Sequence, residues 1–206
     1  MGEINQLSTF YDKEFYTLVD GAESYQAKKI IPIIYDYYKP KSVVDIGCAH
    51  GLYLKEFPVE VDILGVEGSE ACKCKLVIPE EKLIIADLTK TLDFGKKYEI
   101  ALCFEVAEHI DKDWSDMFIE NITSFSDTIL FTSAPKGQGG HGHINEQSFS
   151  YWDKLFSNRG FKEDKVDTAF FVYKFLEINH GGISRTRKDM LCFWIIENFR
   201  VMKKLV

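Results

Sequence analysis

Asp45, Glu67 and Asp87 stand at the carboxyl ends of three short apolar runs, at residues 42–46, 62–66 and 82–86. A carboxylate in that place suits a cationic ligand and is poorly suited to a pyrophosphate. At the end of a second strand it can also accept hydrogen bonds from ribose hydroxyls. Gly47 and Gly51 extend the first run into the pattern Asp-x-Gly-x-x-x-Gly. A glycine after a strand permits a tight turn and a close approach of backbone to ligand. A further cluster, Cys103-Phe104-Glu105-Val106-Ala107-Glu108-His109-Ile110, follows the run at 99–103. An imidazole titrates near neutrality, so His109 has two readings. It is a general base for an acceptor hydroxyl, worth on the order of 10²–10⁴-fold, or a structural residue that orders the segment.

His141 and His143 sit in the loop 134–145, where four of twelve residues are glycine. That density predicts a mobile lid able to exclude water. The two histidines are then acceptor contacts, a base, loop-ordering residues or metal ligands. The sequence marks no further ligands for a metal, and none is expected. His143 joins His109 as a candidate catalytic residue. Cys72 and Cys74 form a single Cys-x-Cys without a second pair, and two helical positions apart they point in different directions, so packing or exposed thiols are expected.

These groups need a scaffold that brings strand ends together. Tyr25, Ile30, Ile33, Ile34 and Tyr37 recur at helical spacing over 23–38, with a kink or break expected at Pro32. Strands are predicted at 42–46, 62–66, 82–86, 99–103 and 128–132, with a helical turn or two at 51–57 and a helix around Cys72. Trp114, Phe118, Ile122 and Phe125 lie on one face of a helix at 114–125. A further helix begins at Asn145 and carries Phe149, Trp152, Leu155 and Phe156, stopped by Gly160. A strand at 161–166 follows, then an aromatic segment at 169–178 that reads as helix: a layer on the sheet or an apolar cap over the acceptor. The last element, 198–204, reads as an antiparallel strand, although a helix from Leu191 fits the periodicity as well. Strands alternating with helices argue for a parallel sheet, and near-continuous apolar strands argue that both its faces are covered.

The stretch Val43-Val44-Asp45-Ile46-Gly47-Cys48-Ala49-His50-Gly51 resembles motif I of the class I S-adenosylmethionine (SAM)-dependent methyltransferases. That motif usually reads Asp-x-Gly-Cys-Gly-x-Gly, and Ala49 stands where the family most often has glycine. The segment from Glu105 to His109 is similar to the family's Glu-x-x-Glu-His after strand four. The resemblance covers residues 42–132 well and 137–161 more loosely, and it is typical of the small-molecule branch. It implies a Rossmann-like, doubly wound α/β fold with a mostly parallel seven-stranded sheet, helices on both faces and the last strand antiparallel. One domain would span 1–206, with an N-terminal helical cap to 40, a cofactor core at 42–135 and an acceptor side at 136–206. The implied cofactor is SAM. Asp45, Gly47, Cys48 and Gly51 would shape its pocket, Glu67 and Gly68 would meet the ribose, and Asp87 with Leu88 would frame the adenine. Phe104 and Glu105 would pass beside the methionine part.

Composition narrows the acceptor. Twenty-five Lys and Arg against 32 Asp and Glu give a net charge of -7, the opposite of the basic footprint that a duplex or long RNA demands. A small or moderately sized acceptor is expected, and the basic run Arg185-Thr186-Arg187-Lys188 is either a solvated loop or a contact to an anionic one. The five cysteines are odd in number and suggest reduced thiols in a cytoplasmic compartment. Residues 1–16 lack a signal-peptide pattern, and no apolar run approaches the roughly 18 residues of a membrane span. Two rivals stand beside the methyltransferase reading. A nicotinamide-dependent oxidoreductase would also use Glu67 on a ribose, but Gly47-x-x-x-Gly51 lacks the Gly-x-Gly-x-x-Gly spacing. A binding or scaffold subunit would keep the fold without turnover.

Overall fold

The computed structural model describes residues 11–179 and 191–205; the basic run at 185–188 lies outside them. In chain order the regular elements are α1 (Lys13–Tyr38), β1 (Ser42–Ile46), β2 (Asp62–Glu67), β3 (Leu83–Ile85), β4 (Ile100–Phe104), α2 (Ser115–Phe125) and β5 (Thr128–Thr132). Then come α3 (Phe149–Ser157), β6 (Phe161–Glu163), α4 (Lys165–Ile178), α5 (Phe193–Glu197) and β7 (Arg200–Lys204). The seven strands form one sheet in the order β3-β2-β1-β4-β5-β7-β6. β1 to β5 pair in parallel, and β7 runs antiparallel between β5 and β6.

Side chains alternate across each strand, and both sides are apolar. Val43, Ile100, Leu102, Phe104, Leu130 and Val201 face a core shared with α1, α4 and α5, through Ile30, Ile34, Phe171, Phe175 and Ile195. Val44, Ile46, Ala101, Cys103, Ile129, Phe131 and Met202 face the other core, filled by α2 and α3 through Phe118, Ile122, Phe125, Trp152 and Phe156. This is the doubly wound arrangement with helices on both faces. Parallel pairing sets Asp45 opposite Gly65 and Leu102, and Glu67 opposite Ile85, so the carboxyl ends of β1 to β4 open on one edge of the sheet. The chain reverses direction across the sheet between β1 and β4, the place where ligands bind in open α/β sheets.

Several boundaries differ from the sequence expectation, each for a local reason. α1 begins ten residues earlier than expected (Lys13 rather than Glu23) and continues through Pro32 without a break. Pro32 and Lys28, whose carbonyl it leaves without a helical donor, are both exposed, so water can satisfy that carbonyl. After β1 only a 3-10 turn forms, at Leu54–Glu56. After β2 the expected helix is a 3-10 turn at Glu70–Lys75, opened by Ser69 Oγ accepting from Ala71 N. β6 stops at Glu163 because Asp164 accepts from Val166 N and Asp167 N, both at 3.0 Å, and so caps α4 four residues before the expected helix start at 169. α3 starts at Phe149 rather than Asn145, whose side chain instead donates to Ser115 Oγ at 2.9 Å. The final segment divides between the two expectations, a short helix and then a strand. All five cysteines are free, with Cys72 buried and Cys74 exposed. No helix among the described residues is long and apolar enough to cross a membrane.

The loop after β3 has no helix of its own and depends on α2. Buried Asn121 donates to the carbonyls of Leu88 and Lys90 at 3.1 and 2.7 Å, and accepts from Leu92 N at 2.9 Å. Asn121→Ala would leave these backbone groups without that partner, at about 1–3 kcal/mol. Urea unfolding should show a lower midpoint with an unchanged slope. A loss under about 0.5 kcal/mol would mean that the loop holds its shape without the asparagine.

Candidate active site

A cavity of about 500 Å³ opens at the carboxyl ends of β1 to β4, within the range of small-molecule sites. Its first wall is the turn after β1. Gly47 N and Cys48 N both donate to Val66 O, at 2.8 and 3.1 Å, and Gly47 adopts a φ of +76°. A Cβ on Gly47 would lie 2.4 Å from Val106 Cγ2, so this position admits no side chain. Ala49 also lies in the left-handed region, at φ +49°, which costs an L-residue roughly 1–2 kcal/mol. What holds it there is its N–H, which donates to Glu67 Oε2 at 2.8 Å.

Glu67 is thereby the joint between two loops. Its other oxygen accepts from Gly68 N and Ser69 N, at 2.8 and 3.1 Å. Burial pushes its carboxyl above the usual range, and these three N–H groups with the Tyr16 hydroxyl oppose that rise. Asp87 accepts from Thr89 N and Thr89 Oγ1 through one oxygen, at 2.9 and 2.6 Å. Glu105, at φ +53°, is fixed by its N–H to Thr132 Oγ1 at 2.8 Å. Its carboxylate accepts from Gln138 Nε2 at 2.9 Å and Asn198 Nδ2 at 3.2 Å, so the loop after β5 and the C-cap of α5 both hold it. Burial raises Glu105 as well.

The sequence candidates divide by position. Gly47, Glu67, Gly68, Asp87, Leu88, Phe104, Glu105 and His109 line the cavity. Asp45, Cys48, Gly51 and His143 stand behind that lining. Asp45 is 2% exposed with Oδ2 unpartnered, and burial, then Glu23 and Glu67, pushes its carboxyl well above the usual range. Tyr11, Tyr16, Glu23, Ser69, Trp114 and Ile144 line the cavity without having been marked by any motif. Glu23 comes from α1 and is pushed up to about 7, chiefly by burial and then by Glu105. Glu23, Glu67 and Glu105 thus share the lining, with Asp45 buried behind them. Lys90, a cation of the lining, is exposed and stacks over Trp114 at 4.9 Å.

His109 faces the cavity with Nδ1 against the Gly142 carbonyl at 3.1 Å, so Nδ1 carries the proton and Nε2 the lone pair. Burial pushes it down to about 4, which keeps the ring neutral at physiological pH. The glycine-rich loop is tied down: Glu146 accepts from Gly137 N, Gly139 N and His143 Nδ1, at 2.7, 2.6 and 2.9 Å. Glu108 O accepts from Ile144 N and Asn145 N. Opening it as a lid would break these bonds. Glu108, His109 and His143 each offer a ligand atom within 4.8 Å of the others, whereas His141 is exposed and outside this group.

Two substitutions in the β1 turn should act in opposite directions. Gly47→Ala meets Val106 and should destabilise the fold by about 1–3 kcal/mol and close the floor. Ala49→Gly removes a left-handed alanine and should raise stability by up to about 1 kcal/mol. Thermal denaturation of both variants reads this directly. A Gly47→Ala protein as stable as the parent would show that the turn is not confined in this way.

The sequence matches the family model described as a methyltransferase domain over residues 25–166. No curated protein matches it at a significant level. Among solved structures it resembles magnesium protoporphyrin IX methyltransferase from Synechocystis PCC 6803, solved with SAM bound, at 15% identity and TM-score 0.59, over 99% of this chain and 92% of that one. The plantazolicin methyltransferase, solved in complex with SAH, aligns at 14% identity and TM-score 0.58 over 98% of both chains. The methyltransferase domain of a bacterial Hen1 aligns at 19% identity and TM-score 0.54, over 68% of this chain and 88% of that one. With its family model spanning the cofactor-side strands and the helices that cover them, the chain belongs to the methyltransferase domain family.

Proposed function

We propose that the cavity binds S-adenosylmethionine and that the chain transfers its methyl group to a small or moderately sized acceptor. The observation that carries this reading is the row of Glu23, Glu67 and Glu105 in the lining, with Asp45 buried behind them. A phosphate-bearing ligand would meet repulsion there, whereas a ligand with an ammonium, a sulfonium and a ribose diol would find acceptors for each. The orphaned Oδ2 of Asp45 is a buried acceptor suited to such a ligand. When bound, the cofactor supplies a methyl group already activated by the positive sulfur.

The residues divide the work of holding it. Glu67 and Gly68 would take the ribose hydroxyls, and Asp87 and Leu88 would frame the adenine. Gly47 lets the chain approach the amino-acid end, with Glu23 and Asp45 beneath it. Phe104 and Glu105 would flank the reacting end, and His109 offers its unprotonated Nε2 at the same wall. Tyr11, Trp114 and Ile144 give the acceptor apolar surface. Because the donor is pre-activated, alignment supplies most of the rate, and proximity with orientation can contribute roughly 7–11 kcal/mol. The net charge of -7 supports an acceptor without a long phosphate backbone. Reduced thiols and a cytoplasmic setting fit the same picture.

Calorimetry should show micromolar binding of SAM or its demethylated product SAH to one site per chain. Glu67→Ala should weaken it at least tenfold, since the variant loses both the ribose acceptor and the brace between two loops. Binding of a nicotinamide dinucleotide with none of SAM or SAH would sink the proposal in favour of an oxidoreductase. Binding of SAM that no acceptor ever consumes would point to a scaffold role.

A further inference from the structure

Glu108 has a burial that the cofactor reading does not use. It is 0% exposed, and neither carboxylate oxygen has a well-formed hydrogen bond among the described residues; only the nearby N–H groups of Glu108 and Ala134 favour its charged form, and Glu105 opposes it. A buried carboxylate left this way is costly unless it is neutralised or coordinates a metal. The groups gathered around it are ligands. His143 Nε2 stands 3.9 Å from Glu108 Oε1, the His109 and His143 rings meet edge to face at 4.9 Å, and Glu105 is its neighbouring carboxylate.

Both imidazoles are held in the tautomer a ligand needs. His109 Nδ1 donates to the Gly142 carbonyl at 3.1 Å, and His143 Nδ1 to Glu146 Oε1 at 2.9 Å. Outer bonds of this kind fix the ring and leave Nε2 unprotonated. Glu146 is in turn anchored by Gly137 N and Gly139 N. Gly140 makes room for the second ring, since a Cβ there would lie 2.2 Å from His143 Nε2. The sequence marks no partners for His143; the fold supplies them from the segment after β4.

We propose that Glu108, His109 and His143 bind one divalent transition-metal ion in the wall of the cavity, and that this ion holds a hydroxyl oxygen of the methyl acceptor. The second half rests on the methyltransferase reading above; the first does not. Two imidazoles and a carboxylate suit Mn²⁺, Fe²⁺, Co²⁺ or Zn²⁺ better than Ca²⁺ or Mg²⁺, and three protein ligands leave positions for water or substrate. His109 and Glu105 line the cavity, so the open positions adjoin the reacting end. The ion acidifies the oxygen it holds. The acceptor O–H gives its proton to solvent, the oxygen pair forms the bond to the methyl carbon, and the carbon–sulfur bond breaks with its electrons returning to a neutral thioether. Oxygen is therefore the methylated atom.

The test uses the full chain stripped with EDTA and dialysed, with SAH binding measured separately by calorimetry. Titration with Mn²⁺, followed by loss of the free-ion electron paramagnetic resonance signal, should show one ion per chain. Glu108→Gln and His143→Ala should each weaken it at least tenfold. Gly140→Ala should also weaken it by displacing the His143 ring, while His141→Ala leaves it within about threefold. Bound Mn²⁺ should enhance water-proton relaxation, the sign of an exchangeable position. A folded, SAH-binding protein that takes up none of Mn²⁺, Co²⁺ or Zn²⁺ overturns the site, as does uptake undiminished in the folded Glu108→Gln and Gly140→Ala variants. Tight uptake without relaxation enhancement overturns the acceptor-holding role. Mn²⁺ uptake without SAH binding would leave the site standing and remove the cofactor reading instead.

Discussion

The half-buried carboxylate of Glu67 is the constraint around which the site is arranged. A carboxylate partly withdrawn from water is costly unless donors replace what it loses, and here the donors are backbone N–H groups. Ala49 N arrives from the turn after β1, and Gly68 N and Ser69 N from the turn after β2. To deliver its N–H, Ala49 must enter the left-handed region, which a glycine does at no steric cost. That is a physical reason for the glycine usual at this position in the methyltransferase motif, and the alanine here tolerates it because the hydrogen bond opposes the strain. Gly47 completes the turn by letting Val106 pack directly on the backbone. Glu67 therefore ties the ends of β1 and β2 together, and Gly47 joins the segment after β4 to the same wall.

The same economy of anchors extends along the edge of the sheet. The loop after β3, which carries Asp87 and Leu88, borrows its hydrogen bonds from Asn121 on α2. Glu105 borrows Gln138 from the loop after β5 and Asn198 from the C-cap of α5. The connecting segments on this edge are short of helix, and 3-10 turns replace it after β1 and β2. Side chains of neighbouring elements supply the order that helices would otherwise give. The turn from α5 into the antiparallel β7 matters to the site for this reason: it holds Asn198 against Glu105 just beyond β4.

Much of this was legible in the sequence because it rests on local signals. The strands at 42–46 and 128–132 fall where β-branched and aromatic runs place them, and the strand-end carboxylates are visible as soon as the strands are. Glu23 and Tyr16 were not, since their position depends on how α1 docks over the edge rather than on any spacing within it. Of the kink or break expected at Pro32, the break was overridden by tertiary packing, with Ile30, Ile31 and Ile34 buried on both sides of the proline. The overlong strand at 161–166 missed the capping role of Asp164, whose side chain reads equally as a turn residue. Glu108 was seen only as a motif letter; that it is wholly buried against His143, thirty-five residues away in sequence, is a fact of tertiary structure.

The central claim is that a carboxylate floor at the ends of β1 to β4 recognises the cation and the diol of one nucleoside cofactor. A crystal structure of the protein soaked with SAH tests it most directly. The account predicts ribose hydroxyls within hydrogen-bond distance of Glu67, the adenine between Asp87 and Leu88, and the amino-acid end over Gly47 and Asp45. Density for SAH elsewhere on the molecule, or a cavity that stays empty at saturating SAH while admitting a nicotinamide dinucleotide, would contradict it.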